Sequence, residues 1–364
     1  MRILHRTDHG HCQPHRRPVL RSGRSSHPIR KGLLSMSTLD ITAPLLELNS
    51  VTVAVNRQRT TPLELVSDVS FSVTQGECLA VVGESGSGKS ITAMAIAGLL
   101  EPSMQVTGSI TYKSQELTEL NPDQRRALAG TEIGFIFQDA MSALHPLISI
   151  KDQMIRPIRL HQGLSRKDAE QKAAELLEKV GIPPARNVLN SYVHQLSGGL
   201  RQRVMIAMAL SNKPSLVIAD EPTTALDAAV QGQIMELLGE LRRSENLAMI
   251  LISHDISVVA RHSDTMAVMY AGQVVETGPT QGVINDARHP YTHALINASP
   301  ERAHAPRRLP TIPGQVPTLD QLPPGCRFQP RCSFAIPDSI APQGMTDFGG
   351  GRRARCCNPL GISA

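Results

Sequence analysis

The sequence predicts an α/β protein with a mixed sheet core, an antiparallel β subdomain, a helical subdomain and a loop-rich C-terminal extension. Straight apolar runs at 216–219 and 247–252 alternate with stretches of helical period, which is typical of a parallel sheet covered by helices. Residues 78–100 have the pattern of a buried strand, a glycine-rich turn and an apolar helix. Proline becomes frequent after Gly278, which indicates loops and turns rather than more sheet.

The glycine-rich turn has the pattern of a phosphate-binding loop. Its glycines allow several backbone N–H groups to point at one anion, and the helix that follows adds its positive N-terminal end. Lys89 is expected to reach the β- and γ-phosphates of a nucleotide, and Ser90 is expected to ligate Mg²⁺. The predicted nucleotide-binding residues of the loop are Gly83, Glu84, Ser85, Gly86, Ser87, Gly88, Lys89 and Ser90.

The positive charge of the chain is concentrated at its N-terminus. The formal net charge is +5 over 364 residues, and residues 1–35 alone hold eight Lys or Arg against one acid, so the rest of the chain is slightly negative. We expect 1–40 to be a disordered basic extension, with Met36 as the natural translation start, and we expect no direct nucleic-acid binding. Every apolar run falls short of the ~18 residues of a membrane span, so membrane association would come through a partner protein.

Two further substructures are predicted on either side of the loop. Alternating apolar residues at 46–55 and 63–73 predict antiparallel strands ahead of the loop. From about residue 149 onward the apolar period becomes helical, and Ser165 is the predicted cap of an amphipathic helix. The sequence therefore predicts a helical subdomain over about 139–196.

Two more patterns carry chemistry. The apolar strand at 216–219 ends in Asp220 and Glu221, where one carboxylate can hold the hydration shell of Mg²⁺ and the other can act as general base on water. The run 197–199, Ser-Gly-Gly, precedes a helix and forms a second anion-receptive helix N-terminus. One domain has no obvious use for two such ends, unless the second serves a nucleotide held by another subunit.

In this order, the motifs resemble those of the ATP-binding cassette family, the ATPase subunits of ABC transporters. The resemblance covers about 45–300 and implies the P-loop NTPase ABC-cassette fold, with a nucleotide-binding domain over 41–282. The loop at 83–90 resembles the Walker A motif, and 196–201 resembles the signature, with Leu200 where Gln is commoner. The remaining matches are Gln138 to the Q-loop, Asp220 and Glu221 to Walker B, Ala225-Leu226-Asp227 to the D-loop, and His254 to the switch histidine.

The resemblance implies an ATPase that uses ATP and Mg²⁺. It implies Glu221, His254 and Gln138 as catalytic residues, and Ser90, Gln138 and Asp220 as Mg²⁺ ligands. It also implies that two cassettes pack head to tail, with ATP between one phosphate loop and the Ser-Gly-Gly turn of the other subunit. The residues implied at that dimer interface are Ser197, Gly198, Gly199 and Asp227.

One position departs from the family pattern. Cassette proteins usually stack an aromatic side chain from the first strand on adenine, and Val55 occupies that position here. The selectivity for ATP over GTP is therefore left open. Tyr112 and Phe71 are the alternative stacking residues.

Three stretches resemble the importer group for oligopeptides, dipeptides and nickel, at 137–146, 289–300 and 312–332. This resemblance implies a peptide-importer-type extension over 283–364. It implies a second ABC ATPase subunit as partner, either a paralogue, which we favour, or a second copy. It further implies two membrane permease subunits, an extracytoplasmic substrate-binding protein, and a peripheral location on the cytoplasmic face of the bacterial inner membrane.

Some members of this group hold an iron–sulfur cluster on four cysteines of the extension. The candidate cluster or metal ligands here are Cys326, Cys332, Cys356 and Cys357. A cysteine expected near Ser339 is missing, and Cys356 and Cys357 are adjacent, which makes good geometry at one centre less easy. This favours unligated cysteines over a cluster.

The leading interpretation is the ATP-hydrolysing, energy-coupling subunit of a di- and oligopeptide importer. The nearest alternative is the same role in nickel, opine or glutathione import. A soluble cassette ATPase acting on nucleic acid or ribosomes is more distant, because the chain has one cassette, lacks a long coiled-coil insertion and has a body that is not basic. A nucleic-acid-binding protein that uses the Arg-rich arm is a further alternative.

Overall fold

Two sheets and their covering helices make up the described part of the chain, which is 43–57, 61–224, 226–299 and 311–361 of this computed structural model. The predicted extension 1–40, with Met36, lies outside the described residues, as does Ala225. The strands are β1 (Leu46–Val55), β2 (Leu63–Val73), β3 (Cys78–Val82), β4 (Met104–Tyr112), β5 (Gln115–Glu116), β6 (Ile133–Ile136), β7 (Leu216–Asp220), β8 (Ala248–Ser253), β9 (Thr265–Tyr270), β10 (Gln273–Pro279), β11 (Thr346–Asp347) and β12 (Arg353–Ala354).

The helices are short to medium in length, and most of them follow a parallel strand or belong to the insertion after β6. None of the helices in the described ranges combines the length and the apolar character that crossing a membrane requires. They are α1 (Lys89–Ala97), α2 (Pro122–Leu128), α3 (Ala140–Ala143), α4 (Ile150–Gln162), α5 (Arg166–Lys179), α6 (Ala185–Leu189), α7 (Gly198–Ala209), α8 (Ala228–Glu245), α9 (Ile256–His262), α10 (Thr280–Asn285) and α11 (Pro290–Asn297).

The larger sheet has eight strands in the order β11-β12-β10-β9-β3-β8-β7-β6. Strands β9, β3, β8, β7 and β6 are parallel and form its centre, while β10 returns antiparallel to β9. All residues of β3 and β7 are buried, as expected for strands covered on both faces. The predicted mixed sheet core is therefore confirmed.

The C-terminal extension adds two strands to this sheet, so the prediction that it contributes no sheet was wrong. Strand β12 pairs with β10, with Glu276 opposite Ala354, and β11 pairs with β12. Each of these strands has only two residues, which is too short for an alternating pattern to show in the sequence. Together they cover an edge of β10 that would otherwise present unpaired backbone groups.

The smaller sheet is the predicted antiparallel subdomain, with the order β2-β1-β4-β5. Its apolar side chains share one buried cluster with Ile96 of α1 and with Val81, Ile218 and Ile250 of the larger sheet. The small sheet and α1 thus cover one face of the central strands. This packing holds α1, and the loop that precedes it, against two sheets at once.

The insertion after β6 is helical and carries α3 to α6. The Ser165 hydroxyl accepts a hydrogen bond from the Asp168 N–H at 3.3 Å, which confirms it as the cap of α5. The apolar faces of α4 and α5 join α7 and α8 in a second cluster that includes Val217 and Met249. The proposed subdomain limits, 139 and 196, stay a prediction.

A third buried cluster joins the C-terminal extension to the larger sheet. It contains Ala80 and Val82 of β3 together with Tyr270, Tyr291 and Phe328. The rings of Tyr270 and Tyr291 are 4.6 Å apart, and those of Tyr270 and Phe328 are 5.2 Å apart. Two of the five side chains of β3, the strand that leads into the phosphate loop, therefore belong to the cluster that includes the extension.

A buried histidine at the start of α11 makes the stability of the folded protein depend on pH, and a substitution can separate its contribution from that of other groups. The His289 Nδ1 accepts a hydrogen bond from the Tyr291 N–H at 3.0 Å, and burial lowers the pKa of His289 from 6.5 to about 3. Below pH 6.5 the unfolded chain binds a proton that the folded chain does not. Stability is therefore lost as the pH falls from 6.5 towards 3, by at most about 1.4 kcal/mol per pH unit for this one group.

We expect His289→Asn to reduce this acid sensitivity, because asparagine can accept the same capping hydrogen bond and does not titrate. Melting temperatures of the wild type and the variant should be measured by calorimetry between pH 7.5 and pH 4.5. The melting temperature of the wild type should fall more steeply than that of the variant. Parallel curves would show that the buried imidazole does not control the acid response.

Candidate functional site

The glycine-rich turn between β3 and α1 is shaped by close backbone contacts. Gly83 has a φ of 154°, and a Cβ there would lie 2.1 Å from the Met269 carbonyl oxygen. Gly88 has a φ of 97°, and its Cβ would lie 3.0 Å from the Val66 side chain. Both positions exclude other residues, so the loop keeps a curled backbone that can surround an anion.

Lys89, the first residue of α1, already occupies the inside of this loop. Its Nζ donates hydrogen bonds to the carbonyl oxygens of Gly83 at 2.9 Å and Glu84 at 3.0 Å. Burial lowers the pKa of Lys89, and the acids Glu221, Asp220 and Glu84 act against that shift. A buried ammonium held only by neutral oxygens can exchange them for phosphate oxygens, which form stronger, charge-assisted hydrogen bonds.

Asp220 ends β7 beside the loop, and one of its carboxylate oxygens is unpartnered in the described part of the chain. Its Oδ1 is buried and has no hydrogen-bond partner among the described residues. Burial raises the pKa of Asp220, and a hydrogen bond from Ser90 acts against that shift. A carboxylate and a hydroxyl are ligand types that Mg²⁺ takes, together with its own waters and nucleotide phosphates. The unpartnered oxygen therefore fits the predicted use of Ser90 and Asp220 as Mg²⁺ ligands.

The three predicted catalytic side chains meet at the Glu221 carboxylate. Its Oε2 accepts a hydrogen bond from the Gln138 Nε2 at 3.0 Å and lies 3.4 Å from the His254 Nδ1. The Thr224 hydroxyl donates to the same oxygen at 2.9 Å. Glu221 also has a φ of 45°, a left-handed conformation that non-glycine residues rarely adopt and that often marks functional sites.

The Ser-Gly-Gly turn and Asp227 lie at two adjacent helix starts. The Ser197 hydroxyl accepts from the Leu200 N–H at 3.4 Å, and the Asp227 Oδ1 accepts from the Val230 N–H at 3.0 Å. A Cβ on Gly199 would lie 2.9 Å from Val230, so α7 and α8 touch there. Across the described ranges, no hydrogen bond or ion pair joins residues 197–199 or Asp227 to the phosphate loop. Within one chain, no described hydrogen bond or ion pair therefore links these two predicted parts of the nucleotide site.

The two alternative adenine-stacking residues are core residues, so that part of the prediction was wrong. Tyr112 is 2% exposed, and its hydroxyl donates to the Glu132 carbonyl oxygen at 3.2 Å. Phe71 is likewise buried, in the cluster between the small sheet and α1. Alternation along β2 and β4 turns both rings inward. Val55, at the end of β1, is partly exposed and provides no aromatic surface.

The four cysteines of the extension lie near one another and are partly buried. Burial raises the pKa of the Cys326 and Cys332 thiols, and raises that of Cys356 to about 12. The Ser339 Oγ lies 3.4 Å from the Cys357 Sγ, at the place where a further cysteine was expected. Metal ligation needs thiolates, and no three His, Cys, Asp or Glu side chains in the described ranges are placed to hold a metal ion. The preference for unligated cysteines over an iron–sulfur cluster stays a prediction.

Sequence reasoning missed two residues that contact the phosphate loop. Arg331 forms an ion pair with Glu84 at 2.9 Å, and the Tyr291 hydroxyl accepts a hydrogen bond from the Glu84 N–H at 2.9 Å. Both residues belong to stretches noted as typical of one branch of the family, at 289–300 and 312–332. The sequence of these two stretches indicated the importer group. It did not indicate a bond to Glu84, because Tyr291 and Arg331 are both far from Glu84 in sequence.

Comparisons with known proteins agree with this geometry. A family model described as "ABC transporter" matches residues 66–224, and one described as "Oligopeptide/dipeptide transporter, C-terminal region" matches residues 275–338. The chain is 45% identical to the dipeptide transport ATP-binding protein DppD of Escherichia coli over 301 residues, 82% of this chain and 92% of that protein. It is 41% identical to DppD of Haemophilus influenzae over 317 residues, 87% of this chain and 96% of that protein.

Solved structures give the same answer for the fold. The ATP-binding cassette MJ0796, a dimer in a post-hydrolysis state bound to ADP and Pi, is 27% identical with a TM-score of 0.58. The match covers 65% of this chain and 98% of that cassette. The cassette fold, the family models and the identity to relatives over nearly their full length all agree. The chain belongs to the family of ATP-binding subunits of ABC transporters, in the oligopeptide and dipeptide transporter group.

Proposed function

We propose that this chain is the ATP-hydrolysing, energy-coupling subunit of an importer of di- and oligopeptides. The observation that carries the proposal is the convergence of Gln138 and His254 on the Glu221 carboxylate, beside a phosphate loop. The relatives named for dipeptide transport support the cargo class. Nickel, opine or glutathione import remains the alternative that the cargo experiment below tests.

Each site residue has its own proposed role in ATP hydrolysis. Glu221 is the general base, because its carboxylate is held by neutral donors at the end of a buried strand and can accept a proton from water. Lys89 binds phosphate oxygens in place of the loop carbonyls. Ser90, Asp220 and Gln138 hold Mg²⁺, which neutralises phosphate charge when it is bound. The proposed role of His254, which directly follows β8, is to contact the γ-phosphate.

A second cassette completes the site. The described hydrogen bonds and ion pairs do not join Ser197, Gly198, Gly199 or Asp227 to the phosphate loop of their own chain, which supports a role at the nucleotide of another chain. The dimeric state of the MJ0796 cassette, bound to ADP and Pi, supports this arrangement. The partner is an ABC ATPase subunit, and a paralogue is favoured over a second copy of this chain.

The segment after Gln138 is the proposed contact with two membrane permease subunits. Phe137 directly precedes Gln138, and Met141 and Leu147 follow it; these large apolar residues have 38%, 45% and 82% exposure. Exposed apolar side chains often mark a surface that binds another protein, and these lie beside the nucleotide site. The location proposed with this contact is peripheral, on the cytoplasmic face of the bacterial inner membrane, with a substrate-binding protein on the other side.

The domain organisation follows from the same assignment. Residues 41–282 form the nucleotide-binding domain, with its helical subdomain over about 139–196, and residues 283–364 form the extension of the peptide-importer type. The family models support this division, since one ends at residue 224 and the other begins at residue 275.

We expect Glu221→Gln to bind Mg-ATP normally and to hydrolyse it about 10² to 10⁴ times more slowly, because a general base contributes a factor of that order. Phosphate release and binding of a fluorescent ATP analogue should be measured on the same preparation. Glu240→Gln, an exposed carboxylate on α8, is the matched control and should behave as wild type. Normal turnover by Glu221→Gln would contradict the assignment of the base.

We expect Lys89→Ala to weaken nucleotide binding roughly a hundredfold, because it removes a buried charged donor from the loop. In cells that depend on this chain for dipeptide uptake, the accumulation of labelled dipeptide should fall to background. Lys167→Ala, an exposed lysine on α5, is the control. Undiminished uptake by Lys89→Ala would overturn the energy-coupling role, and uptake of labelled nickel, opine or glutathione in place of dipeptide would overturn the cargo class.

A further inference from the structure

We propose that Arg331 of the C-terminal extension is a positioning residue for nucleotide binding, which holds Glu84 and so fixes the phosphate loop in its anion-binding shape. The inference rests on the proposed function, since it assumes that this loop binds the nucleotide. It assigns to the extension a direct part in building the site. "Loop clamp" is used below for Arg331 and Tyr291, the two extension residues that bond to Glu84.

The contact between Arg331 and Glu84 is a two-pronged ion pair. The Arg331 Nη1 donates to the Glu84 Oε2 at 2.9 Å, and the Nη2 donates to the Oε1 at 3.2 Å. The Arg331 side chain is 6% exposed and that of Glu84 is 26% exposed. Parallel hydrogen bonds between a guanidinium and a carboxylate fix both groups in direction, and burial reduces their screening by water and salt.

Arg331 is itself held from several sides. Its Nε donates to the Pro313 carbonyl oxygen at 2.8 Å, and its Nη1 donates to the Tyr270 hydroxyl at 3.3 Å. The guanidinium also lies 5.7 Å from the centre of the Tyr270 ring and 5.9 Å from that of Phe328, within the range of cation–π attraction. A side chain fixed in this way has little rotamer freedom left, so Glu84 is paired with a rigid partner.

The second member of the loop clamp acts on the backbone of the same residue. The Tyr291 hydroxyl accepts a hydrogen bond from the Glu84 N–H, and the Tyr291 ring is fully buried against Tyr270 and Phe328. The extension thus holds Glu84 by its side chain and by its main chain. Glu84 directly follows Gly83, the glycine that has no room for a side chain.

The electrostatics explain why Glu84 needs a cationic partner. Its carboxylate belongs to the loop that binds a polyanion, and it is close enough to Lys89 to act against the burial that lowers the pKa of that lysine. Left unpaired, it would repel phosphate and compete with it for the ammonium group. Arg331 neutralises the carboxylate and leaves the Glu84 carbonyl oxygen, which accepts a hydrogen bond from Lys89, in a fixed place.

Both residues of the loop clamp lie within 275–338, the part matched by the C-terminal-region model, and outside 66–224, the part matched by the ABC transporter model. The match with the MJ0796 cassette covers 98% of that protein and only 65% of this chain. A complete cassette can therefore exist without about a third of this sequence. The contribution of Arg331 must accordingly show as a change in nucleotide affinity, with the fold and the chemical step largely retained.

The test is a double-mutant cycle on the full-length chain, with binding of a fluorescent ATP analogue and steady-state hydrolysis as readouts. Arg331→Ala should raise the Kd and the KM for ATP about tenfold or more while kcat changes much less, because a buried paired charge loses its partner. In the Glu84→Gln background the same substitution should change the Kd by less than about twofold, because no unpaired carboxylate remains.

The matched control is Arg355, another arginine of the extension that bonds to the cassette. Its Nη2 donates to the Asp68 Oδ2 at 2.8 Å, and its side chain is 10% exposed. Arg355→Ala removes a similar tether, on β2 instead of the loop. It should lower the melting temperature about as much as Arg331→Ala and leave the Kd for nucleotide unchanged.

The outcomes separate the two proposals. An unchanged Kd in folded Arg331→Ala, or an equal rise in both backgrounds, overturns the loop clamp while the ATPase assignment stands. A wild type that binds no nucleotide overturns the ATPase assignment itself. If Arg331→Ala does not fold, the test uses Arg331→Lys, which keeps the positive charge and loses the pair of parallel hydrogen bonds to the Glu84 carboxylate. A Kd for nucleotide within about twofold of wild type then overturns the proposal. A larger rise in the Kd supports it.

Discussion

The parallel pairing of β3, β8 and β7 is the constraint on which the site depends. Val82 lies opposite Ser253, and Asp220 lies opposite Ile252, so the three strands end at one edge of the sheet. The glycine-rich loop follows β3, Asp220 and Glu221 lie at the end of β7, and His254 follows β8, so these groups must meet there. Because β3 and β7 are buried on both faces, close packing against the two covering layers restrains this register.

The parts of the molecule that the sequence predicts well are those whose causes are local. The phosphate loop, the acids that end β7 and the cap at Ser165 each depend on a few adjacent residues and their backbone preferences. The mixed sheet could be predicted because strands that are buried on both faces have uninterrupted apolar sequences. The grouping of Gln138, Glu221 and His254 then followed from a resemblance to a family, which carried information about tertiary structure that no single stretch contains.

The parts that escaped prediction depend on contacts between distant residues. Arg331 and Glu84 are 247 positions apart, and nothing in the local sequence of either residue signals the other. Strands β11 and β12 exist only because the edge of β10 is there to receive them. The interior location of Tyr112 depends on which face of β4 meets the central sheet. In each case the deciding interaction is a tertiary contact, which local propensity and hydrophobic periodicity cannot predict.

The left-handed backbone at Glu221 shows local preference and chemistry in conflict. Glycine or asparagine would adopt that conformation with less strain, yet neither carries a carboxylate that extends to Gln138 and His254. The fold therefore keeps a residue that is poorly suited to its own backbone, and the sheet around it must supply the rigidity to hold it there. A glycine at this position would relieve the backbone strain and stabilise the folded protein. It would also remove the carboxylate that we propose as the general base.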